Sequence, residues 1–116
     1  MWFHGSPLKL SMLKTGSTIT QWKDLAKAFS HKPPCLIIDD NKTIKHNGKV
    51  KGFLYIINEE LRKDDIIKHP KSSMDDGLEW ITQRDLNITL IEQEIDIEEP
   101  YLSDEEILNY KRNMER

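Results

Sequence analysis

The sequence has little that would mark an exported, membrane-spanning or disulfide-bonded protein. Cys35 is the one cysteine among 116 residues, so an internal disulfide is excluded, and a lone thiol fits a reducing compartment. The longest apolar runs, Cys35 to Ile38 and Phe53 to Ile57, are far shorter than the roughly 20 residues that span a bilayer. Met1 to Ser6 shows no basic segment followed by an apolar one, which argues against a signal peptide. We therefore expect a soluble, cytoplasmic protein that does not cross a membrane.

Several common motifs of enzymes are also missing. The chain has no phosphate loop, no dinucleotide-binding glycine fingerprint and no nucleophile elbow. Its four histidines, at positions 4, 31, 46 and 69, lie far apart without the companion residues of a zinc motif, so no metal site is expected. The net charge is -3, and acidic residues gather from Glu92 onward. Because nonspecific nucleic-acid binding needs a clustered basic face, nucleic acid is not an expected partner.

The length of the chain predicts one domain built on one core. We assign residues 1–94 to the main body, and residues 95–116 to an acidic, helical extension of the same domain. No internal repeat and no long linker divides the sequence. Any functional site must therefore lie on this single scaffold.

Hydrophobic periodicity predicts one helix in the first third of the chain. Trp22, Leu25 and Phe29 recur at helical spacing between Gln21 and His31, which predicts that they form its buried face. Thr20 is the expected N-cap. The helix should end before the two prolines at 33 and 34, which cannot continue its hydrogen-bond ladder.

The remaining pattern is mainly that of strands. Met1 to His4 reads as a first strand, and Asn47-Gly48 between extended runs predicts a hairpin within an antiparallel meander. Two late strands are expected at Glu79–Thr82 and Leu86–Ile91, and the capping box from Ser103 to Glu106 predicts a C-terminal helix. The fold class is therefore α+β.

Two segments carry more polar chemistry than a plain scaffold needs. In Phe3-His4-Gly5-Ser6, glycine permits close approach of a ligand to the backbone, while the flanking side chains supply hydrogen bonds. The plain alternative is a tight turn with an incidental histidine. In Leu78-Glu79-Trp80-Ile81-Thr82, a carboxylate stands beside an indole at the start of a strand and could stabilise developing positive charge. Its plain alternative is a solvated charge on an edge strand.

In their order along the chain, these segments resemble the ADP-ribosyltransferase superfamily. Phe3-His4-Gly5-Ser6 resembles the first motif of the poly(ADP-ribose) polymerases, the diphtheria-type toxins and the rifampin ADP-ribosyltransferases. Gly16 to Thr20, followed by Leu25, Ala26 and Phe29, resembles the second motif, a short strand leading into a helix. Leu78 to Thr82 resembles the glutamate-bearing strand, with Leu86 to Ile91 as its hairpin partner. The resemblance covers roughly Met1 to Glu94 and implies split antiparallel sheets with one main N-terminal helix and a C-terminal helix.

The resemblance implies that the chain cleaves NAD and transfers ADP-ribose to a protein or small-molecule acceptor. His4 would bind the adenosine ribose of NAD, the Gly5 backbone would pair with the nicotinamide carboxamide, and Glu79 would be the catalytic carboxylate at the nicotinamide ribose. The implied NAD-binding residues are His4, Gly5, Ser6, Ser17, Thr18 and Thr20.

The sequence departs from the family at a position that bears on activity. Thr18 stands where the family has a tyrosine that stacks on nicotinamide; Trp22, Phe29 or Tyr55 could replace it. This substitution favours an alternative in which the chain is a noncatalytic module that binds NAD, ADP-ribose or a protein. A third reading, RNA 2′-phosphotransfer, requires several cations around a phosphate, and here only His4 and Arg84 are candidates.

Overall fold

The order of elements along the chain mixes short strands with two helices, as the α+β prediction requires. The structure is a computed structural model that describes residues 1–70, 77–97 and 101–114. In these ranges the elements are β1 Phe3–Ser6, β2 Thr18–Ile19, α1 Lys23–Ser30, β3 Leu36–Ile38, β4 Ile44–His46, β5 Gly52–Ile57, β6 Ile66–Lys68, β7 Trp80–Thr82, β8 Ile88–Ile95 and α2 Asp104–Met114. A 3₁₀ turn at Lys63–Asp65 precedes β6.

The strands form three antiparallel sheets. The first has the order β1-β5-β8, the second has the order β2-β7-β6, and β3 and β4 form a separate hairpin. The first two sheets meet at one residue pair, Phe3 with Thr20, which exchange backbone hydrogen bonds of 2.8 and 3.0 Å. Beyond that pair β1 and β2 separate, so the two sheets are split along this line.

Helix α1 lies against β1, and Gly5 allows their close contact. A Cβ atom at Gly5 would stand 1.8 Å from the Ala26 carbonyl oxygen and 2.8 Å from the Ser30 backbone nitrogen. No side chain fits there unless the helix moves. Gly5 therefore has a packing role that the sequence did not indicate, on the face of β1 that α1 covers.

The buried face of α1 differs in part from the prediction. Leu25 is fully buried as expected, but the other buried residues are Ala26, Ala28 and Ser30, while Trp22 and Phe29 are half-buried. The small residues face the sheet because the helix crosses β1 so closely. Thr20 is not the N-cap: Trp22 occupies that position, and its N–H donates to the Thr20 hydroxyl over 3.1 Å.

Two apolar clusters hold the sheets together. One contains Leu13, Ile19, Ile57 and Leu86, with the rings of Trp2 and Trp80 packed edge to face against each other at its border. The other lies under α1 and joins Ala26, Leu54 and Ile95, with Phe3 beside it. The bridge between the sheets therefore has packed apolar side chains on both sides.

The predicted antiparallel meander through the middle of the chain is correct for β3 and β4, which pair with each other, and wrong for the hairpin at Asn47-Gly48. The hairpin turn lies at Asp39–Thr43, where the Asp39 carboxylate accepts the N–H groups of Asn41 and Thr43. Asn47-Gly48 makes no hairpin because β5 pairs instead with β1 and β8. Gly48 is required by packing, since a Cβ there would lie 2.6 Å from the His31 Cβ.

The late strands also pair differently from the expectation. β7 pairs with β2 and β6, whereas β8 pairs with β5, so the two late strands are not hairpin partners. β8 extends to Ile95, one residue beyond the assigned boundary at 94. The predicted capping box is confirmed: the Ser103 hydroxyl accepts the Glu106 N–H, and the Glu106 carboxylate accepts the Ser103 N–H.

Candidate functional site

His4 stands at the line where β1 and β2 separate. Its Nδ1 lies 2.6 Å from the Thr18 carbonyl oxygen, so Nδ1–H donates and Nε2 is left as an acceptor. Burial lowers the pKa of His4, and the hydrogen bond to Thr18 only partly opposes that effect. His4 is therefore a neutral imidazole of fixed tautomer at neutral pH. Because a backbone carbonyl lies in the plane of its sheet, the ring stands in the gap between the strands.

The peptide groups of Gly5 open into the same gap. Phe3 directs its N–H and C=O to Thr20, and alternate residues of a strand direct these groups to the same edge, so those of Gly5 point away from β5. A continued ladder would pair Gly5 with Thr18, but the pairing ends at Phe3 and Thr20. The His4 ring takes the Thr18 carbonyl instead. The Gly5 N–H donor and C=O acceptor therefore lie side by side at a strand edge that has no partner strand.

Glu79 lies one strand beyond Thr18, immediately before β7. Thr18 pairs with Ile81 and Ile19 with Trp80, so the register brings Glu79 beside Thr20. With strands spaced about 4.8 Å apart, its backbone lies on the order of 10 Å from β1. Successive side chains of a strand point to opposite faces of the sheet. Gly5, Thr18 and Glu79 therefore share one face, and the His4 side chain reaches the gap from the opposite face.

The three remaining predicted NAD-binding residues use their hydroxyls locally. Ser6 Oγ accepts the Leu8 N–H over 3.1 Å, Ser17 Oγ donates to the Lys14 carbonyl over 2.6 Å, and Thr20 Oγ1 accepts the Trp22 N–H. These bonds fix the loops and the helix entrance around the split. The structure thus brings His4, Gly5 and Thr18 into one place, with Glu79 on the neighbouring strand.

The three candidate aromatic residues have different surroundings. Tyr55 is 1% exposed, and its hydroxyl accepts the Leu10 N–H and donates to the Leu8 carbonyl, so its ring is a core element. Trp22 lines a cavity on the side of α1 away from Gly5. Phe29 is half-buried, so part of its ring stays accessible.

Arg84 joins two loops by ion pairs. Its guanidinium lies 2.6 Å from a Glu59 oxygen and 2.9 Å from an Asp65 oxygen. These carboxylates raise the pKa of Arg84, and hydrogen bonds from Arg84 contribute to the lowered pKa of each carboxyl. Because the Arg84 guanidinium pairs with two carboxylates, it does not serve as the phosphate-binding cation that the RNA 2′-phosphotransfer hypothesis requires.

A second feature, which the sequence pattern did not indicate, is the pairing of His31 with His46. Their rings stack at a centroid distance of 5.2 Å with 12° between their planes. Both residues are buried, and both line a cavity of about 300 Å³ between α1, the β3–β4 hairpin and the end of β8. The two histidines are fifteen positions apart in the sequence. Gly48 is the sequence feature connected with their contact, because a Cβ at that position would overlap His31.

Comparison of the chain with protein-family models, curated proteins and solved structures finds no match. Within the described ranges, no helix is long and apolar enough to cross a membrane, and no three acidic, histidine or cysteine side chains group as metal ligands.

Proposed function

We propose that this chain is an NAD-dependent ADP-ribosyltransferase-like protein that cleaves the nicotinamide–ribose bond and transfers ADP-ribose to an acceptor. The observation that carries the proposal is the gap between β1 and β2, where the His4 ring replaces the strand ladder and leaves the Gly5 peptide groups open. A split pair of antiparallel sheets, with His4 and Gly5 on one and Glu79 on the other, supports it.

The unpaired strand edge at Gly5 suits a carboxamide. A primary amide carries one carbonyl acceptor and an NH₂ donor on the same carbon, which matches the N–H and C=O of a single residue. The nicotinamide of NAD presents this group. In the proposal, the Gly5 peptide binds nicotinamide, and glycine is also what allows α1 to close one side of the site.

His4 suits a sugar hydroxyl. The Nδ1–H of His4 donates to the Thr18 carbonyl, which leaves Nε2 as a hydrogen-bond acceptor. A ribose hydroxyl is a suitable donor to this Nε2. The lowered pKa keeps Nε2 unprotonated at neutral pH. His4 therefore binds as an acceptor and does not act as a general acid in the proposal.

Glu79 supplies the negative charge that the reaction needs. Cleavage of an N-glycosidic bond passes through an oxocarbenium-like state, and a fixed carboxylate stabilises that state more than the neutral sugar. Glycosidases rely on the same effect. Glu79 is half-buried next to Trp80, immediately before β7, the strand that pairs with β2.

Thr18 favours the second candidate function, a noncatalytic module of the same fold. A threonine cannot stack on nicotinamide as the family's tyrosine does, and Phe29 offers a ring that is only half-buried. Such a module would bind NAD, ADP-ribose or a protein without breaking the glycosidic bond.

Two measurements on the same samples test the proposal: calorimetric titration with NAD and chromatographic detection of released nicotinamide. For the wild type we expect both binding and release. Glu79→Gln keeps the shape but removes the charge, so release should fall by about 100-fold to 1000-fold while affinity for NAD changes little. Glu60→Gln is the matched control, because Glu60 is an exposed carboxylate without a described partner.

The outcomes separate the candidates. Binding without release in the wild type supports the noncatalytic module. Equal release by the wild type and Glu79→Gln contradicts the catalytic role of Glu79. Absence of any NAD binding contradicts the transferase and the NAD-binding form of the module.

A further inference from the structure

The cavity beside α1 is independent of the proposed NAD site. It is lined by Trp22 and residues of α1, by the β3–β4 hairpin, and by Ile95 and Asp96. Gly5 contacts a different face of the helix, at Ala26 and Ser30. A ligand in this cavity would therefore be separated from the β1–β2 gap by α1.

Backbone hydrogen bonds fix the tautomers of the two stacked histidines. His31 Nδ1 lies 2.8 Å from the Val50 carbonyl oxygen, so this nitrogen donates and His31 Nε2 is an acceptor. The Gly48 N–H donates to His46 Nδ1 over 3.0 Å, so the neutral His46 ring carries its hydrogen on Nε2. Burial and the neighbouring His31 ring both lower the pKa of His46, which keeps this ring neutral at neutral pH. The pair therefore presents one acceptor and one donor.

Both of these Nε2 atoms are unused within the described part of the chain. His31 and His46 are only 3% and 6% exposed. Neither Nε2 atom has a described hydrogen-bond partner, and neither is sealed from solvent. Because both rings line the cavity, each Nε2 opens to it. Polar atoms of buried side chains normally have hydrogen-bond partners, so an unpaired acceptor and an unpaired donor at one cavity indicate a ligand.

The combination of one acceptor with one donor selects the chemistry of that ligand. An anion held by both rings needs two donors, whereas His31 Nε2 is an acceptor. A metal ion held by both rings needs two lone pairs, whereas His46 Nε2 carries a hydrogen. The ligand that fits both rings has an N–H for His31 and an oxygen acceptor for His46 on neighbouring atoms, which is the pattern of an amide.

The rest of the lining suits a small neutral molecule. The charges of the described lining residues balance, since they comprise two carboxylates and two ammonium groups, those of Asp24, Asp96, Lys27 and Lys42. Apolar side chains complete the wall, and the half-buried indole of Trp22 offers aromatic surface to a planar ring. A cavity of about 300 Å³ is at the lower end of the range for ligand pockets, so it fits a molecule of one or two rings and not a dinucleotide.

We propose that this cavity binds a small cyclic amide, a neutral planar ring of the pyrimidine-base type. The ring N–H of the ligand donates to His31 Nε2, and the carbonyl oxygen next to it accepts from His46 Nε2–H. The two nitrogens provide the specificity, and the apolar wall provides the contact area.

Two uracils that differ by one methyl group test the proposal at pH 8. 1-Methyluracil keeps the ring N–H between two carbonyl groups, whereas 1,3-dimethyluracil has a methyl group on that nitrogen and keeps both carbonyl oxygens. In ¹⁵N-labelled protein, the ring nitrogen signals of His31 and His46 should shift saturably with 1-methyluracil, with a dissociation constant of about 1 mM for so small a ligand. 1,3-Dimethyluracil should bind at least about tenfold more weakly, because it leaves His31 Nε2 without a donor.

Asparagine variants remove one cavity nitrogen at a time and keep the backbone hydrogen bond. In His31→Asn the amide NH₂ can still donate to the Val50 carbonyl, and in His46→Asn the amide oxygen can still accept the Gly48 N–H. Neither side chain is long enough to replace Nε2. Each variant should weaken binding of 1-methyluracil about tenfold, whereas His69→Asn, which removes a histidine outside the cavity, should leave it unchanged.

Circular dichroism checks that each variant is folded, and the comparison of the two uracils needs only the wild type. Saturable shifts of both histidines with 1-methyluracil that are lost with 1,3-dimethyluracil support the proposal. The absence of saturation with 1-methyluracil, shifts that leave His31 and His46 unmoved, equally tight binding of the two uracils, or unchanged binding by both folded cavity variants would each overturn it.

Discussion

Replacing Gly5 by alanine tests the close contact between β1 and α1 that shapes one side of the proposed site. The added Cβ would lie 1.8 Å from the Ala26 carbonyl oxygen and 2.8 Å from both the Ala26 carbonyl carbon and the Ser30 nitrogen. All three are backbone atoms, so no side-chain rotation relieves the overlap. Overpacking of a core costs about 1 to 3 kcal/mol, and because the helix itself must move we expect at least about 3 kcal/mol here.

Urea unfolding followed by circular dichroism measures this cost, and Gly16→Ala provides the comparison. Gly16 has φ of 87°, and beyond its chain neighbours no heavy atom lies within 4 Å of the position that a Cβ would take. Its substitution therefore adds backbone strain without a clash, and that strain should cost about 1 to 2 kcal/mol. A Gly5→Ala loss below about 1 kcal/mol, or one smaller than that of Gly16→Ala, would refute the reasoning from the helix contact.

Two further predictions concern the helix and the response to pH. Leu25→Ala should destabilise the protein by about 2 to 5 kcal/mol, because Leu25 is fully buried. The stability loss of Phe29→Ala should be below about 3 kcal/mol, the lower bound for fully buried phenylalanines, because Phe29 is half-buried. If urea unfolding gave Phe29→Ala the larger loss, the observed buried face of the helix would be contradicted. The lowered pKa of His4 means that, as pH falls below about 6.5, the unfolded chain takes up a proton before the folded chain does, so stability should be full above that pH and decrease below it. His4→Gln should flatten this dependence in thermal melts between about pH 7 and pH 5, and an unchanged slope would contradict the burial of His4 as its cause.

Local patterns in the sequence predicted the elements better than their pairing. The periodicity of Leu25 and its neighbours located α1, and Ser103 with Glu106 located the start of α2, because helix signals depend on residues three or four positions apart. The pairing of β5 with β1 and β8 depends on contacts between distant segments. Asn47-Gly48 therefore gave a misleading hairpin signal: Gly48 is needed for the contact with His31, which only the fold reveals.

The residues of the candidate site could be selected from the sequence, but their positions relative to one another in space could not. His4, Gly5 and Thr18 were selected from two separate segments, and the structure joins them by the hydrogen bond from His4 to Thr18. The sequence could not show that the strand ladder ends after Phe3 and Thr20. The ladder ends there because the His4 ring, and not the Gly5 peptide, bonds to the Thr18 carbonyl. Nor could it bring together His31 and His46, whose contact is formed by the packing of α1 on the hairpin.

The most direct test of the central claim is a titration with NAD followed through the backbone amide signals of the ¹⁵N-labelled protein. If the gap between β1 and β2 binds nicotinamide through the Gly5 peptide, the Gly5 N–H signal should shift saturably and among the most strongly, together with that of Thr18. The signals of Lys42 and His46, on the far side of α1, serve as internal controls and should move little. Saturable shifts confined to other parts of the chain, or no shift of Gly5 as NAD increases, would contradict the account.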